Sequence, residues 1–200
     1  LDPTKGKMYW AEGGASEIRR ADLNGNNIET LLSGDIGYPQ GLALDVREGK
    51  MYWAEGTYTH KIQRADLNGD NVETLIAEQN NPLGLALDLG ARKMYWTDAY
   101  AGLIRRSDLT GQNIETLVTG LSLPEGIALD LMAGKMYWAD SVADKIQRAD
   151  LNGNNIEDLV TTGVTFTTGI ALELFTGKLY WADRDSDKIQ RAGLDGLNVK

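Results

Sequence analysis

The sequence predicts an all-β protein, a β-propeller of four-stranded antiparallel blades, and three observations carry that expectation. The first is a period. All five tryptophans, Trp10, Trp53, Trp96, Trp138 and Trp181, follow a tyrosine and stand 43, 43, 42 and 43 residues apart. A fixed period of this length marks a repeat architecture. The second is that other motifs keep the same register. Gly-Leu/Ile-Ala-Leu-Asp/Glu recurs at Gly41, Gly84, Gly126 and Gly169, and an Ile-x-Arg step ends at Arg20, Arg64, Arg106, Arg148 and Arg191. The third is apolar character on both parities: Met94 and Trp96 point one way while Tyr95 and Thr97 point the other, so both faces of each sheet need cover. Stacked blades supply that cover from two neighbours, which a single solvated sheet lacks.

One period gives the elements in order. The short apolar run over 84–88 predicts strand A, and the Met-Tyr-Trp segment over 93–98 predicts strand B, because aromatic and β-branched residues suit extended backbone. Runs over 103–108 and 113–118 predict strands C and D. They are joined by Leu-Thr-Gly-Gln here and by Leu-Asn-Gly-Asn/Asp in the first, second and fourth copies, and Asn-Gly between strands is a strong hairpin signal. The chain holds five B-C-D sets and four complete A strands; Leu1-Asp2 reads as the tail of an A strand, and 196–200 ends where a fifth D strand would begin. Residues 1–200 are therefore read as one partial domain with both ends inside a blade. The pairs Tyr9-Trp10, Tyr52-Trp53, Tyr95-Trp96, Tyr137-Trp138 and Tyr180-Trp181 are expected to be packing devices, since burying one large aromatic contributes roughly 1.5–3 kcal/mol.

Composition narrows the function. A net charge of -9 repels phosphate backbones, so nucleic acid is not an expected partner. The absence of cysteine excludes disulfides, cysteine-ligated zinc and thiol catalysis. Apolar runs of a few residues fall far short of the ~20 that cross a bilayer, so no membrane insertion is expected. Asp-Leu-Asn-Gly-Asn lacks calcium-loop spacing, with its glycine too early and the segment in a hairpin. The chain has a single histidine, His60, and no Gly-x-Ser-x-Gly or Ser-His-Asp arrangement. The innermost strands are close copies that leave no odd His, Glu and Asn cluster on the axis. No catalytic residue, metal site or cofactor is therefore expected.

At Tyr95-Trp96-Thr97-Asp98 the sequence spells YWTD in full, and the other copies read Tyr-Trp-Ala-Glu or Tyr-Trp-Ala-Asp. With the Gly-Leu-Ala-Leu-Asp strand and the Ile-x-Arg-Ala-Asp-Leu-Asn-Gly segment, the chain resembles the YWTD propeller repeats of the low-density lipoprotein receptor class B family and their bacterial relatives. The resemblance implies a six-bladed propeller, binding rather than catalysis, and an extracellular or cell-surface setting. Six blades at this period need about 260 residues, so the chain is read as part of a six-bladed propeller. A closed five-bladed ring and assembly from several chains are the alternatives.

Antiparallel succession puts the A-to-B and C-to-D turns on one rim and the B-to-C and D-to-A loops on the other. The first rim repeats nearly the same turns and reads as structural. The second varies between copies, and there Tyr38, Tyr58, His60, Tyr100 and Phe166 are the candidate contacts for a protein or peptide ligand. The resemblance implies docking on the same face. The acids after Tyr-Trp, Glu12, Glu55, Asp98, Asp140 and Asp183, share one end of strand B and are expected to pair with the strand-C arginines. Two other functions are carried alongside binding. One is a structural component that self-associates through open blade edges; the other is a propeller hydrolase or lactonase with a metal in the central channel.

Overall fold

A computed structural model describes residues 1–200. Apart from a 3-10 turn over Gly13–Ala15, every regular element is a strand. Blade 1 contains β1 (Lys7–Glu12), β2 (Glu17–Asp22) and β3 (Glu29–Ser33). Blade 2 contains β4 (Pro39–Asp45), β5 (Lys50–Glu55), β6 (Lys61–Asp66) and β7 (Glu73–Ile76). Blade 3 contains β8 (Pro82–Asp88), β9 (Lys93–Asp98), β10 (Leu103–Asp108) and β11 (Glu115–Val118). Blade 4 contains β12 (Pro124–Asp130), β13 (Lys135–Asp140), β14 (Lys145–Asp150) and β15 (Glu157–Val160), and blade 5 contains β16 (Thr167–Glu173), β17 (Lys178–Asp183) and β18 (Lys188–Gly193). Each sheet runs in sequence order with antiparallel neighbours; blades 2, 3 and 4 have four strands, and blades 1 and 5 have three.

Both ends continue the blade pattern. The isolated Asp2–Lys7 bridge reproduces the Asp45–Lys50 pairing that closes the A-B hairpin of blade 2. Arg191 and Lys200 exchange two backbone hydrogen bonds, in the register of Arg148 and Glu157. Two boundaries differ from the sequence expectation. In blade 3, strand A begins at Pro82 rather than Gly84, because a bulge between Pro82 and Leu85 lets pairing continue past the glycine. Strand D begins at Glu115 because Asn113 takes a left-handed φ of 55° within the turn.

The core lies between blades, not inside any one of them. Tyr52, Ile62 and Ile76 of blade 2 pack against Leu85, Met94 and Trp96 of blade 3, and Tyr95, Ile104 and Val118 of blade 3 meet Ile127, Met136 and Trp138 of blade 4 in the same way. Each blade thus presents a Tyr/Ile face to its successor and a Met/Trp face to its predecessor. An arginine fastens each junction. Arg64 lies over the Tyr52 ring at 5.7 Å and donates to the Leu109 carbonyl of blade 3 at 3.2 Å. Arg20, Arg106 and Arg148 repeat the reach, to Leu67, Leu151 and Leu194. Burial works against the Arg106 charge, yet hydrogen bonds to Tyr95 and Glu115 outweigh it and hold the guanidinium pKa above its usual value.

Along the axis the A strands approach closely. A Cβ added at Gly41, Gly84 or Gly126 would collide with the next A strand's backbone at Leu83, Glu125 or Thr168, whereas at Gly169 it would meet nothing within 4 Å. The two end faces are uncovered. Ile189 is 81% exposed while its equivalents Ile18, Ile62, Ile104 and Ile146 are fully buried, and Trp10 is only half-buried on the opposite end face. The structure shows five blades; the sixth that the resemblance implies is not among them.

This difference can be measured. Gly84→Ala is expected to cost about 1–3 kcal/mol by overpacking two backbones, whereas Gly169→Ala should stay within about 0.5 kcal/mol of the parent. Equal urea-unfolding midpoints for the two variants would show that the A strands do not meet as described.

Candidate functional site

The variable rim is built by the carboxylates that follow Tyr-Trp. Asp140 accepts from the backbone amides of Ser122 at 2.9 Å and Leu123 at 2.8 Å. Asp183 accepts from the Thr165 amide at 2.9 Å and its hydroxyl at 2.8 Å. Asp98 takes the Asn80 amide at 3.0 Å, and Glu55 takes the Gly37 amide at 2.9 Å together with the Trp53 indole at 2.8 Å. Each of these four acids therefore holds the loop that enters strand A of its own blade, two residues before that strand starts.

The expected pairing with a strand-C arginine is met at two of the five acids and replaced at the other three. Only Glu12 and Asp98 form ion pairs with an arginine, and these are Arg19 at 3.1 Å and Arg105 at 3.5 Å rather than the Ile-x-Arg residues. Four of those arginines, Arg20, Arg64, Arg106 and Arg148, are engaged by tyrosine rings, strand-D glutamates and the next blade's carbonyl. A buried carboxylate needs several donors, and loop amides supply them at shorter range. Burial pushes the Asp98 carboxyl up, against the Asn80 amide, Arg105 and His60, which pull it down. At Asp183 burial also pushes up, but the Thr165 and Ser186 hydrogen bonds outweigh it and leave the carboxyl below its usual range.

The candidate contacts are arranged unequally. Tyr38 and Tyr58 pack edge to face, with ring centroids 6.3 Å apart at 71°. Tyr58 is 74% exposed and Tyr100 is 67% exposed. His60 sits at a left-handed φ of 51° with its Nδ1 buried and without a partner. Phe166, at a φ of 45°, is half-buried with the Arg184 guanidinium 5.2 Å above its ring. Of the five, Tyr38 alone turns inward to line the central cavity.

That cavity, about 380 Å³ at the mouth of the channel, is bordered by all five blades and includes Ala11, Tyr38, Gln40, Glu125 and Thr168 in its wall. Its size falls in the roughly 300–1,000 Å³ range of small-ligand sites. The inner strands were expected to be uniform here. They are uniform from the glycine onward, but the residue before it reads Gln40, Leu83, Glu125 and Thr168 in successive copies. Burial raises the Glu125 carboxyl, while a hydrogen bond from Ser141 and the field of Arg184 lower it. Comparing that one position across the copies is the sequence signal that finds Glu125. No group of three or more His, Asp or Glu side chains is gathered where a metal could be held. The opposite rim, read as purely structural, also exposes Met132 and Phe175, each 97% accessible, in its A-to-B turns.

Asp140→Asn replaces one of the two oxygens that accept the Ser122 and Leu123 amides with an NH2 group and should cost about 1–3 kcal/mol. Chemical denaturation together with faster hydrogen exchange at Ser122 and Leu123 checks it. Unchanged exchange at those amides would refute the role given to Asp140.

The sequence pattern of "Low-density lipoprotein receptor repeat class B" matches residues 6–46, 92–131 and 134–163, more than half of the chain. The human "Low-density lipoprotein receptor-related protein 5-like protein" is 40% identical over 48 residues, which is 24% of this chain and 19% of that relative's length. A solved structure titled "Crystal structure of Nidogen/Laminin Complex" superposes with a TM-score of 0.90 at 23% identity, over 100% of this chain and 77% of that one. "Streptogramin B lyase structure" gives a TM-score of 0.76 at 19% identity, over 98% of this chain and 64% of that one. At these identities the two structures show a shared fold alone.

Proposed function

The chain belongs to the low-density lipoprotein receptor class B repeat family, and on that premise we propose that it is a non-enzymatic module that binds a protein or peptide ligand, outside the cell or at its surface. The binding face in this reading is the rim of B-to-C and D-to-A loops. One observation carries it: a nearly invariant scaffold holds loops that differ from copy to copy, expose Tyr58 and Tyr100, and place Tyr38 in the wall of an open cavity. Exposed tyrosines on a rigid frame are efficient contact residues, since they offer large area for few frozen torsions. The solved structure of the same fold titled as a nidogen/laminin complex supports a protein partner. The lyase of the same fold favours catalysis only weakly, because the cavity supplies one carboxylate, Glu125, and no base or nucleophile beside it.

The test is selection of peptides or extracellular domains on the immobilised chain, followed by alanine substitution on both rims. Tyr38→Ala and Tyr58→Ala are expected to weaken the selected ligands about tenfold or more, in line with aromatic hot spots. Asn68→Ala, in a C-to-D turn, should leave them unchanged. Ligands that depend on Asn68 and ignore the tyrosines would place binding on the other rim.

A second reading, self-association, is favoured by the uncovered face of blade 5, where Ile189 is exposed beside Ala171, Tyr180 and Ala182. It is the face that every other blade buries against its successor. Sedimentation should then show a mass that rises with concentration, and Ile189→Asp should return it to the monomer value. A monomer across the whole range removes this reading.

A further inference from the structure

We propose that the mouth of the central channel receives one cationic side chain, an ammonium or guanidinium carried by the ligand, with Glu125 as its counter-charge and Gln40 and Thr168 beside it. This inference rests on the reading of the variable rim as the binding face, and it names the chemistry of that face at the axis.

Departures from the repeat converge on this spot. Glu125 stands where other copies have Gln40, Leu83 and Thr168. Ser141 stands where they have Gly13, Gly56, Ala99 and Arg184, and Thr97 stands where they have Ala11, Ala54, Ala139 and Ala182. These three residues form one construction. The Thr97 hydroxyl, fully buried, donates to the Glu125 carbonyl at 2.5 Å and accepts the Gly84 amide at 2.9 Å, which fixes the backbone that carries the carboxylate. The Ser141 hydroxyl, 1% exposed, reaches Glu125 Oε1 at 3.0 Å and shares its proton with the Leu123 carbonyl at 3.1 Å. Glu125 Oε2 has no donor from the protein. The blades that have glutamine, leucine or threonine at this position are built equally well, so folding alone gives no reason for the carboxylate.

The charges around it leave the position open. Arg184 acts on Glu125 through its field but is stacked on Phe166 and forms no ion pair with it. Asp140, on the neighbouring strand β13, is occupied by the Ser122 and Leu123 amides. A half-buried carboxylate has already lost part of its hydration, so a charge-assisted bond to an entering cation gains more than it would on the open surface. The side chains of Gln40 and Thr168 make no hydrogen bond within the protein and line the same wall. The net charge of -9 draws a basic partner toward the rim.

The experiment titrates the isotope-labelled full chain with an acetylated, amidated Gly-Lys-Gly peptide and with the same peptide carrying norleucine, following backbone amide shifts by NMR. The lysine peptide is expected to move the amides of Gly126, Thr168 and Gly169, and the norleucine peptide and Glu125→Gln should each weaken the effect about tenfold. Affinity should rise with pH through the titration of Glu125, since the cation selects the ionised form. The Glu125→Gln spectrum outside the cavity reports that the fold is retained, and Thr168→Val should weaken binding by a smaller factor. Equal response to norleucine, indifference to Glu125→Gln, or affinity that falls as pH rises would each overturn the proposal. The last of these would identify a protonated carboxyl donating to a neutral acceptor. A selected ligand that needs Tyr58 but not Glu125 would leave the rim reading standing and remove this one.

Discussion

Everything in this fold depends on two unlike faces that fit each other. A blade on its own exposes tyrosine and isoleucine on one side and methionine and tryptophan on the other, and neither face is tolerable in water. Joined, they bury the Tyr-Trp pairs of blades 2 to 4 to within 2% of full exclusion. Because every junction uses the same pair of faces, stability accumulates from neighbour to neighbour, and no central core is needed. The half-exposure of Trp10 and the exposure of Ile189 follow from the same rule, since each lies on a face without a neighbour.

The strand-C arginine shows how the junction tolerates a charge. It lies over the tyrosine ring of its own blade, pairs with a glutamate of strand D and donates to a carbonyl of the next blade. A lysine would meet the charge requirement but would lack the planar fork that serves ring, carboxylate and carbonyl together. The glycines of strand A complement this on the inside, where bare backbones meet and a methyl group has no room.

Much of this was legible in the sequence because it was written five times. The period, the B and C strands and the packing role of Tyr-Trp follow from residue type and spacing. The limits of A and D in blade 3 did not, because they turn on a bulge after Pro82 and a left-handed Asn113. The partners of the acids were also misjudged in part. Sequence spacing offered an arginine nearby, but it cannot show that a loop 18 residues upstream returns to place its amides on Asp98 or Asp140. Glu125 is absent from the expected contacts for a different reason: it lies in a segment whose variation is plain, but only the fold shows that the residue before the glycine faces the axis. Naming aromatic loop residues was possible from sequence. That Tyr38 faces the axis and Phe166 lies beneath Arg184 required the fold.

The acids that hold the rim have one more consequence. Glu55, Asp98, Asp140 and Asp183 grip backbone amides, which every amino acid but proline possesses, and they grip them at the same distance from strand A in each blade. The amide grip asks little of the loop's side chains, apart from the Thr165 hydroxyl that adds to it at Asp183 and the lack of room for a Cβ at Gly37 beside Glu55 and Thr59. Blades 2 to 5 each carry the same socket, and a new loop of different sequence could be seated in it without rebuilding the blade underneath. A scaffold with such sockets can change what it recognises by exchanging one segment at a time, with earlier contacts on the neighbouring blades kept intact.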